Sequence, residues 1–191
     1  MKASLLLALS LLFACGGTDL EIGETKQALS TTQDPNGNGT YQQMFTVGSA
    51  SHYQNVDEGY SWNDWTDYNY TKSVNQMDSY TISLSSIPNS YDISRNKIGA
   101  KLNKLRGSAG DGTNATGQLF YRWNGVNSSM TNTGALDTWT IVVADYTGLS
   151  LNKDSGSTLE IGAKYTGCSG AFCTLRDMAL TGMEVLIEYA P

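Results

Sequence analysis

Only one histidine, three cysteines and three prolines occur in 191 residues, and each scarcity closes off some chemistry. With His52 alone, a Ser-His-Asp arrangement has no supporting context, and the chain holds no Gly-x-Ser-x-Gly elbow. Cys168 and Cys173 could form only half of a zinc site: apart from Cys15 in the leader region no other Cys exists, and His52 is the only His. Basic residues are also few. Twelve Lys and Arg against eighteen Asp and Glu give a net charge of −6, which disfavours a nucleic-acid partner. The acidic residues are scattered, as on a solvated surface. Beyond residue 14 no apolar stretch is long enough to span a bilayer. Helical periodicity is nearly absent.

What is present begins at the N-terminus. Lys2 supplies a positive start, and Leu5 to Phe13 is apolar apart from Ser10. A run this short is the core of a secretory signal, not a membrane span. Leu12-Phe13-Ala14-Cys15 stands where cleavage is expected. It resembles a bacterial lipobox, with Phe13 in place of the usual small residue. The resemblance implies a signal peptide over 1–14 and a thioether-linked diacylglycerol, with acyl chains such as palmitate, at Cys15. Each buried methylene contributes about 0.8 kcal/mol, so two or three chains would hold the protein on a membrane. Ordinary secretion after Ala14, leaving a free thiol, is the alternative. Gly16 is not the Asp that resembles an inner-membrane retention signal, so an outer-membrane lipoprotein of the cell envelope is expected.

Three cysteines are an awkward count in an oxidising compartment, and lipidation of one removes the awkwardness. Cys168 and Cys173 then remain, in Cys-Ser-Gly-Ala-Phe-Cys, a spacing that suits a disulfide-closed turn. Residues 15–40 read as a lipidated flexible tether, dominated by Gly, Thr, Ser, Gln, Asn and acidic residues and containing the breaker cluster Asp34-Pro-Asn-Gly-Asn-Gly39. A coil of that length spans roughly 25–30 Å. The stretch Glu21 to Leu29, ending Gln-Ala-Leu, resembles the segment after the signal in myxobacterial exported proteins.

Residues 41–191 read as one domain. Short segments alternate with period two: Tyr80, Ile82, Leu84; Ile98, Ala100, Leu102; Leu119, Tyr121, Trp123. Thr138 to Val143, Thr158 to Tyr165 and Met183 to Tyr189 follow. Half-buried strands separated by turn residues predict an all-β, antiparallel sandwich. Their order resembles the jelly-roll sandwiches of bacterial and phage surface proteins and of carbohydrate-binding modules. That resemblance is to pattern, and it implies architecture more than function.

The densest aromatic cluster is Gly59-Tyr-Ser-Trp-Asn-Asp-Trp-Thr-Asp-Tyr-Asn-Tyr70. Aromatic rings stack on the apolar faces of sugars while carboxylates and amides bond the hydroxyls. Tyr60, Trp62, Trp65 and Tyr68, with Asp64 and Asp67, are therefore candidate ligand-binding residues. The competing reading is packing: Trp62, Tyr68 and Tyr70 share one parity, which a strand would bury, leaving Trp65 on the exposed side.

Asp34 to Gly39 also fits the opening of a calcium loop, but Phe45 stands where a bidentate Glu is needed, and a linker explains the same residues. Calcium through Asp57, Asp64 or Asp67 is a weaker expectation, and no other cofactor or metal is expected. A glycosidase would need two facing carboxylates, with Glu160, Glu184 and Glu188 as candidates, although Glu alternating with Val, Ile and Tyr also describes a solvated strand face. No catalytic residue is assigned. Asn38, Asn69, Asn114 and Asn127 open glycosylation-type triplets that arise easily in a chain so rich in Asn, Ser and Thr. The expectation is a lipid-anchored envelope sandwich that binds polysaccharide or another envelope protein, or else an assembly or adhesion component without a small ligand.

Overall fold

The computed structural model describes residues 27–59, 66–105, 108–170 and 177–191. Twelve strands run through them: β1 (Leu29–Gln33), β2 (Pro35–Gln42), β3 (Phe45–Val47), β4 (Tyr68–Thr71), β5 (Met77–Ile82) and β6 (Asp92–Lys104), then β7 (Asn114–Trp123), β8 (Val126–Asn127), β9 (Thr131–Leu136), β10 (Thr140–Asn152), β11 (Leu159–Ser169) and β12 (Met178–Ala190). A short 3-10 turn covers Tyr53–Asn55. The architecture is an all-β sandwich of two antiparallel sheets, as the alternation predicted.

One sheet runs β10-β6-β12-β4-β3, with β1 also paired to β12. The other runs β2-β5-β11-β7-β8, with β9 also on β7. From β4 to β7 and again from β9 to β12 the chain steps from sheet to sheet at each connection. Period-two strands make this possible, because each offers one apolar side to a shared interior. Ile98, Ala100, Leu102, Val185 and Ile187 from the first sheet are fully buried with Leu119, Ile161 and Ala163 from the second. Two tyrosines bridge the layers. Tyr146 of β10 donates its hydroxyl to the Leu119 carbonyl of β7 at 2.8 Å. The Tyr80 hydroxyl of β5 accepts from Asn69 Nδ2 of β4, also at 2.8 Å. A buried phenol needs such a partner.

The structure corrects the expected tether. Leu29–Gln33 and Pro35–Gln42 are strands, so the sandwich starts well before residue 41. The breaker cluster is therefore part of a strand and not a linker. Asn36 Oδ1 accepts from Thr81 Oγ1 at 3.1 Å, and Asn38 Oδ1 accepts from the Tyr53 amide at 2.9 Å. Glycines here serve close approach: a Cβ on Gly39 would lie 2.6 Å from Glu160 Oε2 and 2.5 Å from Ser79 Oγ. Small residues that look like breakers let an irregular edge strand lie flat on its neighbour. Residues 1–14 and Cys15 lie outside the described residues.

Candidate functional site

On β4 the expected parity is reversed. Asn69 and Thr71 are fully buried, and Tyr68 and Tyr70 lie half-exposed on the outer side. The reason is polar. Asn69 is the centre of an interior network in which its Oδ1 accepts from Asn55 Nδ2 at 2.9 Å and its Nδ2 donates to the His52 carbonyl and the Tyr80 hydroxyl, both at 2.8 Å. An amide can be interred once its hydrogen bonds are met, and its inward turn forces the flanking tyrosines out.

Those tyrosines do not stand alone. β3 pairs with β4 so that Phe45 lies opposite Tyr70 and Val47 opposite Tyr68. Phe45 is 53% exposed. Its ring centroid is 5.4 Å from that of Tyr70, tilted by 33°, and the Tyr68 and Tyr70 centroids are 6.1 Å apart. Three rings therefore form a continuous strip on the outer face at the β3 edge of the sheet. The sequence reading named Tyr68 and left Tyr70 with the packing residues. It gave Phe45 no ligand role, because only the pairing of β3 with β4 brings that ring to the other two.

Asp67 precedes β4 and is partly buried, and its carbonyl accepts from Thr181 Oγ1 at 2.9 Å. Its charge adds to a local acidic neighbourhood. Burial pushes the Asp57 carboxyl up, and the charges of Asp67 and Asp34 push the same way. Tyr60, Trp62, Asp64 and Trp65 lie outside the described residues. Cys168 sits near the end of β11, paired with Ala115 of β7, and Cys173 lies outside the described residues.

Beneath the strip, Asp78 of β5 is a second polar centre that sequence reasoning missed. It is fully buried. Its Oδ1 accepts from the amides of Gln43 and Met44 at 2.8 and 2.9 Å, and His52 Nδ1 lies 2.6 Å from Oδ2. Burial pushes this carboxyl up, against the bonds from His52, Met44 and Gln43 that pull it down. The only imidazole of the chain thus fastens the 3-10 turn to β5.

The carboxylates weighed for glycoside cleavage are held apart. Glu160 points out of the second sheet, and Glu184 and Glu188 point out of the first. A sandwich about 10 Å thick lies between them, so Glu160 does not face either across a cleft. Glu160 is also saturated: it accepts from the Thr40 amide and hydroxyl at 2.8 and 2.7 Å, from Ser79 Oγ at 2.6 Å and from Arg122 at 3.0 Å. Burial pushes its carboxyl up, but the hydrogen bonds from Ser79, Thr40 and Arg122 outweigh that and hold it below the usual value. Such a group stays ionised and is ill suited to donate a proton. Glu188 is engaged by Arg95 at 2.7 Å, which also grips Asp145.

No protein-family model and no curated protein matches the chain. Solved structures similar to it include the Agl-KA catalytic domain, at 14% identity and a TM-score of 0.42 over 92% of this chain and 30% of that one. The tripod BppUct-A-L from the baseplate of bacteriophage Tuc2009 is similar at 10% identity and a TM-score of 0.30, over 86% of this chain and 63% of that one. The chain therefore spans less than two thirds of either. Likeness at these scores carries no argument about function, and the class defined here is that of an all-β sandwich.

Proposed function

We propose that this protein is a lipid-anchored sandwich of the bacterial cell envelope that binds polysaccharide. The carrying observation is the strip of Phe45, Tyr70 and Tyr68, three rings in contact on an outer face, where packing would have turned the tyrosines inward. A row of ring faces with hydroxyls at its rim suits the alternating apolar and polar faces of a glycan chain. Diacylglycerol on Cys15 would hold the chain to the outer membrane, and the segment before β1 would space the sandwich from the lipid.

Affinity electrophoresis tests this. Gels are cast with laminarin, hydroxyethyl cellulose, glycogen or glycol chitin. Retardation of the wild-type chain in at least one, abolished in the Phe45→Ala/Tyr70→Ala variant, is the expected result. Equal mobility of both proteins in every gel refutes the aromatic strip as a glycan surface.

A protein partner is the second reading, and a different observation favours it. Ile141 and Val143 of the edge strand β10 are 51% and 44% exposed on the outer face. Val143 also lines a depression at Gly99, with Leu186, Thr32, Lys97 and Glu184. Two exposed apolar side chains on an edge strand suit assembly. Cross-linking in intact cells that captures no envelope protein through Ile141 or Val143 counts against it.

A further inference from the structure

A second feature lies at the end of β6. A cleft of about 440 Å3 opens there between Asn103–Leu105, Ala109 and the turn Asp137–Trp139. Sites for small ligands run from about 300 to 1,000 Å3. The walls are tied together by one buried cation. The Lys104 side chain is 1% exposed. Its Nζ donates to the carbonyls of Ser108 and Thr113 at 2.9 Å each, to Asp111 Oδ1 at 2.8 Å, and to Asp137 Oδ1. An ammonium has three protons, so these four oxygens use its capacity fully. A charge is interred only when it is so satisfied.

Asp137 is thereby fixed in place. Its Oδ2 accepts from the Gly110 amide at 2.7 Å, yet the side chain remains 37% exposed. Each carboxylate oxygen has a further lone pair, so an outward acceptor remains. The bond from Lys104, with that from Gly110, holds the carboxyl below its usual value and keeps it an anion. Trp139, two residues on, is half-exposed on the same wall. An indole beside a rigid carboxylate is a pair suited to a sugar ring, one face stacked and the hydroxyls bonded.

We propose that this cleft binds one pyranose unit of a polysaccharide, with Trp139 as the stacking surface and Asp137 as the hydroxyl acceptor. Lys104 is a positioning residue that sets the distance between the two walls. The site rests on the glycan-binding reading above but shares no side chain with the Phe45–Tyr70 strip.

Fluorine NMR of the full chain, labelled with fluorotryptophan and solubilised in mild detergent, tests it. A Trp139→Phe variant assigns the Trp139 resonance. Laminarihexaose, cellohexaose, maltohexaose and chitohexaose are titrated separately. A saturable shift of that resonance with at least one of them is expected. It should persist in the Phe45→Ala/Tyr70→Ala variant and weaken by about tenfold in Asp137→Asn. No shift with any of the sugars overturns the proposal. A shift lost in the Phe45→Ala/Tyr70→Ala variant also overturns it, because the cleft would then not bind by itself. Gels without retardation together with a shifting Trp139 signal would refute the strip and leave the cleft standing.

Discussion

Asp78 shows how much one interior carboxylate organises. Two backbone amides, an imidazole and a phenol converge on its two oxygens. Asp78→Ala leaves the Met44 amide buried without an acceptor, and about 3 kcal/mol of stability should be lost. Asp78→Asn keeps an oxygen for both amides and should lose less than half of that. Urea unfolding of the three proteins checks the order. The pH dependence has a definite sign. Burial raises the folded carboxyl above its ordinary value of 3.8. Its stabilising contribution is then complete below that value and is lost as pH rises through the folded one. The stability of wild type relative to Asp78→Asn should therefore decline from acid towards neutral pH. A difference that grows with pH would contradict the assignment. None of this was legible in the sequence, where Asp78 stood as one more polar residue before an alternating strand.

At the scale of elements, the lock between β2 and the rest of the second sheet matters most. Glu160 reaches across to Thr40, and Tyr41 lies over Phe120 with centroids 6.0 Å apart. Phe120 is fully buried although it points out of the sheet, because Tyr41 roofs it. Gly39 makes room for this crossing. Gly39→Ala should lift β2 and lose about 1–3 kcal/mol. Glu160→Gln should lose about 1–2 kcal/mol at neutral pH. The folded Glu160 carboxyl lies below its ordinary 4.5, so its contribution is present above that value and disappears as pH falls through the folded one. Denaturation curves of wild type and Glu160→Gln, separated at neutral pH, should thus converge at acid pH. The alternating strands around Ile98, Leu119 and Ile187 were plain in the sequence, since apolar burial repeats every second residue. β2 was missed because Asn and Gly signal breaks unless a neighbouring sheet supplies their partners.

The described sandwich joins its first strand to its last. β1 pairs with β12 from Leu29↔Tyr189 to Gln33↔Val185, so the first described strand closes against the last. On the proposed reading, Cys15→Ser should move the protein from the membrane fraction to the soluble fraction while leaving thermal unfolding unchanged. Fractionation of cells carrying each form, followed by mass spectrometry of the wild-type N-terminus, checks both parts. A wild-type N-terminus without acyl chains would refute the anchor.

Composition and period by themselves determined the class of fold, because a half-buried strand must alternate whatever it packs against. They also marked the aromatic stretch before residue 70 and the scarcity of catalytic histidine. Only the tertiary structure decided which rings face outward. That choice belongs to Asn69, whose inward turn depends on Asn55, His52 and Tyr80 arriving from elsewhere in the chain. It likewise placed Phe45 beside Tyr70, and closed the carboxylates of Asp111 and Asp137 around Lys104. Hydrogen bonds between distant residues set these positions, and no local pattern of residues encodes which distant partner will come.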